Sequence, residues 1–284
     1  MRLLFLSLFG VALGAQPVTN AANHSPGSGP AKGHLIVIGG GAVGQAILDR
    51  FAALAGGLDA QIVVVPTAGE VVPPLEHHAL KRHGFTHLVH LHTNDRKVAD
   101  SAEFVAALKT AKGVWIDGGR QWRLVDSYLG TKTAKELDNV LERGGVIAGT
   151  SAGATIQGSY LVRGAREGNT IMMAKGYEEG FGFLRNVAID QHLIARHREN
   201  DLVPVISLKP ELLGIGLDEA TAIVVTGDSF SVIGASKVAI YDTNYGVGAD
   251  GKAYYWLQAG DCFDITARKK QSCAPPAGSR PPAR

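Results

Sequence analysis

Five short apolar runs, each closed by glycine, proline or another turn residue and separated by stretches of helical character, constrain this chain more than any other feature. His34–Ile38 ends at Gly39 and 61–65 ends at Pro66, and 87–91, Gly113–Ile116 and 146–148 follow. The runs are short and largely β-branched, the signature of strands buried on both faces. Between them, 42–54, 75–83, 99–112, 122–129 and 132–143 read as helices. In the last, Leu137, Val140 and Leu141 recur at three- and four-residue spacing. Strands alternating with helices imply right-handed crossovers and a parallel sheet. After Ile223 the texture changes: 223–226, then Gly-Asp-Ser, then 230–233 predicts a hairpin, and 238–241 and 253–257 read as a continuation of an antiparallel edge. The expected fold is α/β, a three-layer α/β/α sandwich with a mostly parallel central sheet and a C-terminal antiparallel hairpin edge. It forms one domain over 33–266.

The ends read differently. Residues 1–15 (MRLLFLSLFGVALGA) have one positive residue, Arg2, an apolar run from Leu3 to Leu13, and small residues at Ala12 and Gly14, which is the pattern of a secretory signal peptide. The run is about half the ~20 residues that span a bilayer. No other stretch is long and apolar enough, so no membrane contact is expected once the signal is removed, and the protein is expected to be secreted or periplasmic. Residues 16–32 read as a flexible linker, and 267–284 as a disordered, Pro-rich basic tail. Export permits a disulfide between Cys262 and Cys273, the two cysteines of the chain. Two cysteines exclude a disulfide-stapled scaffold and a four-thiolate metal site. A formal charge of +2 gives no basic stripe for nucleic acid.

Two glycine motifs compete for a functional reading. Gly39-Gly-Gly-Ala-Val-Gly44 matches the dinucleotide fingerprint after a strand and before a helix, which keeps a nicotinamide- or flavin-dependent oxidoreductase as a rival. The second strand, however, ends Val65-Pro66-Thr67 where an acidic ribose ligand belongs. The turn reads equally as tight packing, or as backbone lining an active site made elsewhere. Gly149-Thr-Ser-Ala-Gly153 fits the nucleophile elbow GxSxG, with the strand 146–148 before it and a small-residue helix start after it. Ser151 is the candidate nucleophile, and the Ala152 amide is the natural first donor to an oxyanion. A serine needs a base. After Ser151 the histidines are His192 and His197; His192, at the polar end of an apolar run, is the candidate, with His197 an exposed neighbour. The orienting acid is Asp218 or Glu219, adjacent residues that face opposite sides if extended. Glu167, Glu178, Glu179 or Asp190 would serve only in the usual hydrolase order of serine, acid, histidine.

With these residues placed, the chain resembles the cyanophycinase and dipeptidase E family of serine peptidases, closest to cyanophycinase. The resembling segments are IGGGAVG, IDGGRQ, GTSAGA, DQHLIARHR and GIGLDEATA, in the family's order. The resemblance implies a fold related to class I glutamine amidotransferases, a triad of Ser151, His192 and Glu219, and no metal or cofactor. It adds Gly118 and Gly119 as the second oxyanion donor. The implied substrate is a peptide or aspartate-rich polymer, cyanophycin, released as β-aspartyl-arginine dipeptides. Arg196 and Arg198 would pair with its carboxylates, and Gln121, Asp190 and Gln191 match polar pocket positions. Two departures stand out. Asp201 occupies the place of a third arginine, and Arg120 stands where the family often has asparagine, so Arg120 is a candidate replacement cation. An isoaspartyl or α-aspartyl dipeptidase is therefore the alternative, and a non-catalytic binding protein of the same fold is a further rival. A homodimer is left open. Six histidines between His77 and His92 match no standard metal spacing and read as surface and strand-end residues.

Overall fold

β1 (His34–Ile38) is buried along nearly its whole length, because it lies between two strands and under two layers. Its side chains alternate: Ile36 and Ile38 face one core with Ile47 and Phe51, while Leu35 and Val37 face another. The computed structural model describes residues 27–273. The expected signal peptide, the linker before Gly27 and the tail beyond Cys273 lie outside the described residues. The remaining strands are β2 (Ile62–Val65), β3 (Leu88–His90), β4 (Gly113–Ile116), β5 (Val146–Thr150), β6 (Gly158–Tyr160), β7 (Leu184–Gln191), β8 (Leu213–Leu217), β9 (Thr221–Thr226), β10 (Ser229–Gly234), β11 (Lys237–Tyr241), β12 (Tyr255–Gln258), β13 (Cys262–Asp264) and β14 (Lys269–Gln271). The helices are α1 (Gln45–Ala55), α2 (Ala79–His83), α3 (Arg96–Ala99), α4 (Gln121–Tyr128), α5 (Lys132–Glu142), α6 (Ala152–Thr155) and α7 (Leu202–Leu208).

The first sheet runs β14-β13-β10-β9-β1-β5-β4-β2-β3. Strands β1 to β5 within it are parallel, and β9 joins β1 antiparallel to begin the hairpin edge. Helices α1 and α2 cover one face of the parallel half, and α4 and α5 cover the other. This is the expected α/β/α arrangement. Because all five parallel strands point the same way, the turns after β1, β2, β4 and β5 share one rim, where open α/β sheets bind ligands.

The structure then departs from the expected single sheet. A second sheet, β12-β11-β8-β7-β6, packs its inner face (Val187, Ile189, Leu213, Ile215, Val238, Ile240) into the same core as Leu35, Val37 and Ile223 of the first. Helix α7 covers its outer face through Leu202, Val205 and Ile206. Hence β7 does not lie beside the serine-bearing strand, whose neighbours are β1 and β4. Likewise β11 and β12 extend the second sheet rather than the hairpin edge. The cause is that a run such as 187–189 is equally apolar whichever sheet takes it, so hydrophobicity cannot choose.

Two helical stretches also differ. The segment 75–83 is broken at His78, whose Nδ1 accepts the Leu80 amide and caps α2. The segment 99–112 gives way to the short α3, capped by the Asp95 carboxylate, and a 3-10 turn at Phe104–Lys109. The ends are more ordered than composition suggests. Asp228 Oδ1 accepts the amides of Ser28 and Gly29, so the last part of the expected linker is docked. Residues 269–271 form β14 against β13, and Cys262 is bonded to Cys273, so the start of the expected tail belongs to the fold. Among the described residues no helix is long and apolar enough to cross a membrane. A loop of this length closed by a disulfide contributes about 3 kcal/mol in the chain-entropy account. Reduction, or Cys273→Ser, is expected to lower the thermal midpoint measured by circular dichroism, with little change in activity at 25 °C.

Candidate active site

Ser151 sits between β5 and α6 with φ 55° and ψ −112°, a conformation that costs a residue with a Cβ on the order of 1–3 kcal/mol. Backbone bonds hold it there: its amide donates to Ile38, and its carbonyl accepts the amides of Ala154 and Thr155 and the Thr155 hydroxyl. The flanking glycines are there for space. A Cβ on Gly149 would lie 2.0 Å from the Gly153 carbonyl oxygen, and one on Gly153 would lie 2.2 Å from that of Ile116. The GxSxG pattern is thus a packing requirement for lifting one hydroxyl above the rim.

The base and the acid arrive from the other sheet. His192 follows β7 and Glu219 follows β8, which are parallel neighbours in register, Gln191 opposite Leu217. Ser151 Oγ lies 2.9 Å from His192 Nε2, and His192 Nδ1 lies 2.5 Å from Glu219 Oε1. The three residues singled out for a relay are therefore brought together across the seam between the sheets. Burial lowers the His192 pKa below the ordinary imidazole value. The Glu219 hydrogen bond opposes this, and the Arg196 and Arg198 charges reinforce it. The ring is accordingly neutral, and able to accept a proton, at neutral pH.

Asp218, the other candidate acid, has a different task. Its Oδ1 accepts the amides of Ile194 and Ala195, and its Oδ2 accepts the Ser236 hydroxyl. Burial pushes its carboxyl up, but these bonds and that of the Glu219 amide more than offset it and hold it below the usual range. It fixes the loop that carries His192. The first glycine turn serves the same end. Gly39 accepts the His192 amide and Gly40 that of Ala220. A Cβ on Gly40 would lie 2.3 Å from His192 Cε1, and one on Gly41 would lie 2.6 Å from Glu219 Oε2. The dinucleotide-like motif is thus backbone lining an active site, the third of the readings left open above.

Gly118 abuts the nucleophile: a Cβ there would lie 3.1 Å from Ser151 Cβ. Gly119 has φ 147°, and a Cβ on it would strike the Ala68 carbonyl. The amides of Gly118, Gly119 and Ala152 donate to no acceptor among the described residues, so they are available to a substrate oxygen.

The polar pocket residues divide. Arg196 is exposed and has no ion-pair partner among the described residues. Arg198 is buried, donating to the Gln191 backbone oxygen and, at 2.8 Å, to its Oε1. Asp190 is buried and ion-paired. Its two oxygens take Arg163 Nε and Nη2 at 2.6 and 2.7 Å, deep in the fold. Arg163 went unnoticed in the sequence; the one signal was a charged residue closing the apolar stretch Tyr160-Leu-Val162. It also binds Asp201, 2.7 Å away, so the aspartate that replaces a third arginine is engaged with a buried cation. Arg120 donates to the Ala165 carbonyl, while its Nε and Gln121 Nε2 are buried without a partner among the described residues. A larger cavity of about 760 Å³ opens among Asp59, Lys109, Lys112 and Arg143, residues at the start of the parallel strands and remote from this chemistry. Among the described residues no three metal-ligating side chains converge. His78 meets Asp117, His83 meets Asp49, and His92 meets Thr67.

A nucleophile elbow, a buried imidazole and a carboxylate on this topology agree with the comparisons. Residues 35–233 match the model of peptidase family S51. The chain belongs to that family. It is 32% identical over 263 residues to a cyanophycinase of Synechococcus elongatus, covering 84% of this chain and 81% of that one. It is 31% identical over 222 residues to a cyanophycinase of Nostoc sp., covering 73% of each. Its fold is similar to the crystal structure of a peptidase from an acI-B1 Actinobacterium, with a TM-score of 0.59 and 24% identity over 84% of this chain and 98% of that one. Membership of family S51 makes the protein a serine-type peptidase.

Two outcomes follow from this geometry. Gly40→Ala is expected to displace the imidazole and reduce kcat on the order of 10²-fold while the circular dichroism spectrum stays native. In Arg196→Gln, losing a positive charge that holds the His192 pKa down is expected to move the acid limb of the kcat/KM profile to higher pH. An unmoved limb would show that this arginine does not act on the base.

Proposed function

We propose that the protein is an exported cyanophycinase-type exopeptidase that hydrolyses multi-L-arginyl-poly-L-aspartate to β-aspartyl-arginine dipeptides by a Ser151–His192–Glu219 mechanism. The observation that carries the reading is the unbroken hydrogen-bond chain from the Ser151 hydroxyl through the His192 ring to Glu219. Ser151 Oγ attacks the scissile carbonyl while its proton passes to His192 Nε2, and Glu219 holds the ring and stabilises the imidazolium. The oxyanion receives the amides of Ala152 and of the Gly118–Gly119 turn, each such donor contributing on the order of 3 kcal/mol to transition-state stabilisation. Collapse breaks the C–N bond as His192 returns the proton to the leaving amine. A water then loses a proton to His192 as its oxygen bonds the acyl carbon, and the ring passes that proton to Ser151 Oγ as the acyl C–O bond breaks, which frees the acid product and restores the serine.

A substrate carrying free carboxylates suits Arg196, exposed beside the base, and the guanidinium nitrogens of Arg198 that Gln191 leaves unused. Export is supported by the signal-like residues 1–15 and by the Cys262–Cys273 bond, since such bonds persist in oxidising compartments. One observation favours the alternative, an isoaspartyl or α-aspartyl dipeptidase. Asp201, where cyanophycinases often carry a cation, is bound to Arg163, so the pocket has one positive charge fewer for a polymer's carboxylates.

Mass spectrometry of products from cyanophycin and from a panel of β- and α-aspartyl dipeptides separates these readings. Release of β-aspartyl-arginine is expected, and cleavage of dipeptides alone would establish the alternative. Ser151→Ala is expected to lower the rate by roughly 10⁴-fold or more with the fold intact. Activity retained in that variant would end the serine mechanism.

A further inference from the structure

A cavity of about 380 Å³ opens directly beside the nucleophile, on elements that Arg196 and Arg198 do not share. Its walls come from the turns after β1 and β2, the ends of β4 and β5, and the segment His77-His-Ala79, with Gly118 and Thr150 on the side nearest Ser151. Val43, Pro66, Val71, Pro73 and Trp115 make it largely apolar, and neither lysine nor arginine lines it. Arg123 reaches the Gly69 wall but donates to that residue's carbonyl and stacks on Trp122.

One carboxylate faces this apolar space. Asp117 Oδ1 accepts Trp115 Nε1 and His78 Nε2, each at 3.1 Å. The His78 tautomer is set by its neighbour: because Nδ1 accepts the Leu80 amide, the ring proton is on Nε2 and points at Asp117. Trp115 and His78, both buried, therefore hold the carboxylate in one orientation. Its second oxygen, Oδ2, has no partner among the described residues. Two neutral donors do not balance a carboxylate next to apolar walls, so the cavity is complementary to an alkyl chain that ends in a cation.

We infer that this cavity is a second substrate subsite, which takes a lysine- or arginine-like side chain with Asp117 as its anchoring charge. Its apolar walls sheathe the methylenes, and Oδ2 receives the terminal ammonium or guanidinium. The subsite rests on the reading of Ser151 as nucleophile for its place in a reaction, but not for its capacity to bind.

Two measurements test it. The first compares kcat/KM for short aspartate-backbone peptides carrying β-linked arginine and the same peptides carrying β-linked citrulline, which differ in charge and hardly in shape, in the native protein and in Asp117→Asn. The amide oxygen of asparagine can still accept from Trp115 and His78. The native protein is expected to prefer arginine by at least about tenfold, the worth of one charge-assisted hydrogen bond, and Asp117→Asn is expected to bring the ratio close to one. A ratio unchanged by the substitution, including an equal fall on both peptides, overturns the subsite. The second is calorimetric binding of agmatine to Ser151→Ala, with and without Asp117→Asn. Binding weakened at least about tenfold by the asparagine is expected, and absent or equal binding overturns the proposal. Agmatine binding without cleavage of any aspartyl peptide would leave the subsite and remove the proposed function. Cleavage without a preference for arginine would do the reverse.

Discussion

The seam between the two sheets is where the structure is most exacting, because the nucleophile belongs to one sheet and the base and its acid to the other. Their approach depends on the Gly39–Gly41 backbone, which accepts the amides of His192 and Ala220 and leaves room for the imidazole where any side chain would collide with it. Hydrogen bonds between backbones set the distance, and missing Cβ atoms permit it. Everything chemical at the rim is a consequence, since moving one sheet on the other by an ångström would separate Ser151 from its base.

The same seam collects charge, and the fold handles each charge differently. Arg163 is buried and stays ionised because Asp190 and Asp201 both accept from it, so an otherwise prohibitive desolvation is offset by paired geometry. Asp218 is likewise satisfied on both oxygens. Arg196 is left in solvent, where its field still reaches His192 and works with burial to keep the base unprotonated. Asp117 lies on the far side of the nucleophile, among apolar walls, with one oxygen unused. Paired charges thus hold the scaffold on this side of the nucleophile, while Arg196 stays in solvent.

Much of the fold was legible in the sequence for a local reason. Runs such as 35–38 and Gly113–Ile116 are strands because every residue in them is apolar or small and a turn residue closes them. Ser151 was legible because its strained backbone demands glycines at 149 and 153. His78 was not, since nothing in a run of helical character announces that an imidazole will cap the next turn. The pairing of Asp190 was not legible either, because its partner Arg163 lies 27 residues away in the chain, in a loop without periodicity.

Taken alone, the sequence determined the strands of the parallel half and most of their helices, where the hydroxyl is lifted, and that an imidazole and one of two acids lie downstream. Those are properties of a few consecutive residues, settled by sterics and periodicity. Which sheet received 184–191, which of Asp218 and Glu219 met the ring, which arginine stayed free, and that the Cys262–Cys273 bond closes onto an ordered strand were decided only in three dimensions. Each depends on what packs against a segment from far along the chain, and equally apolar runs and adjacent carboxylates carry no record of that until the core has closed around them.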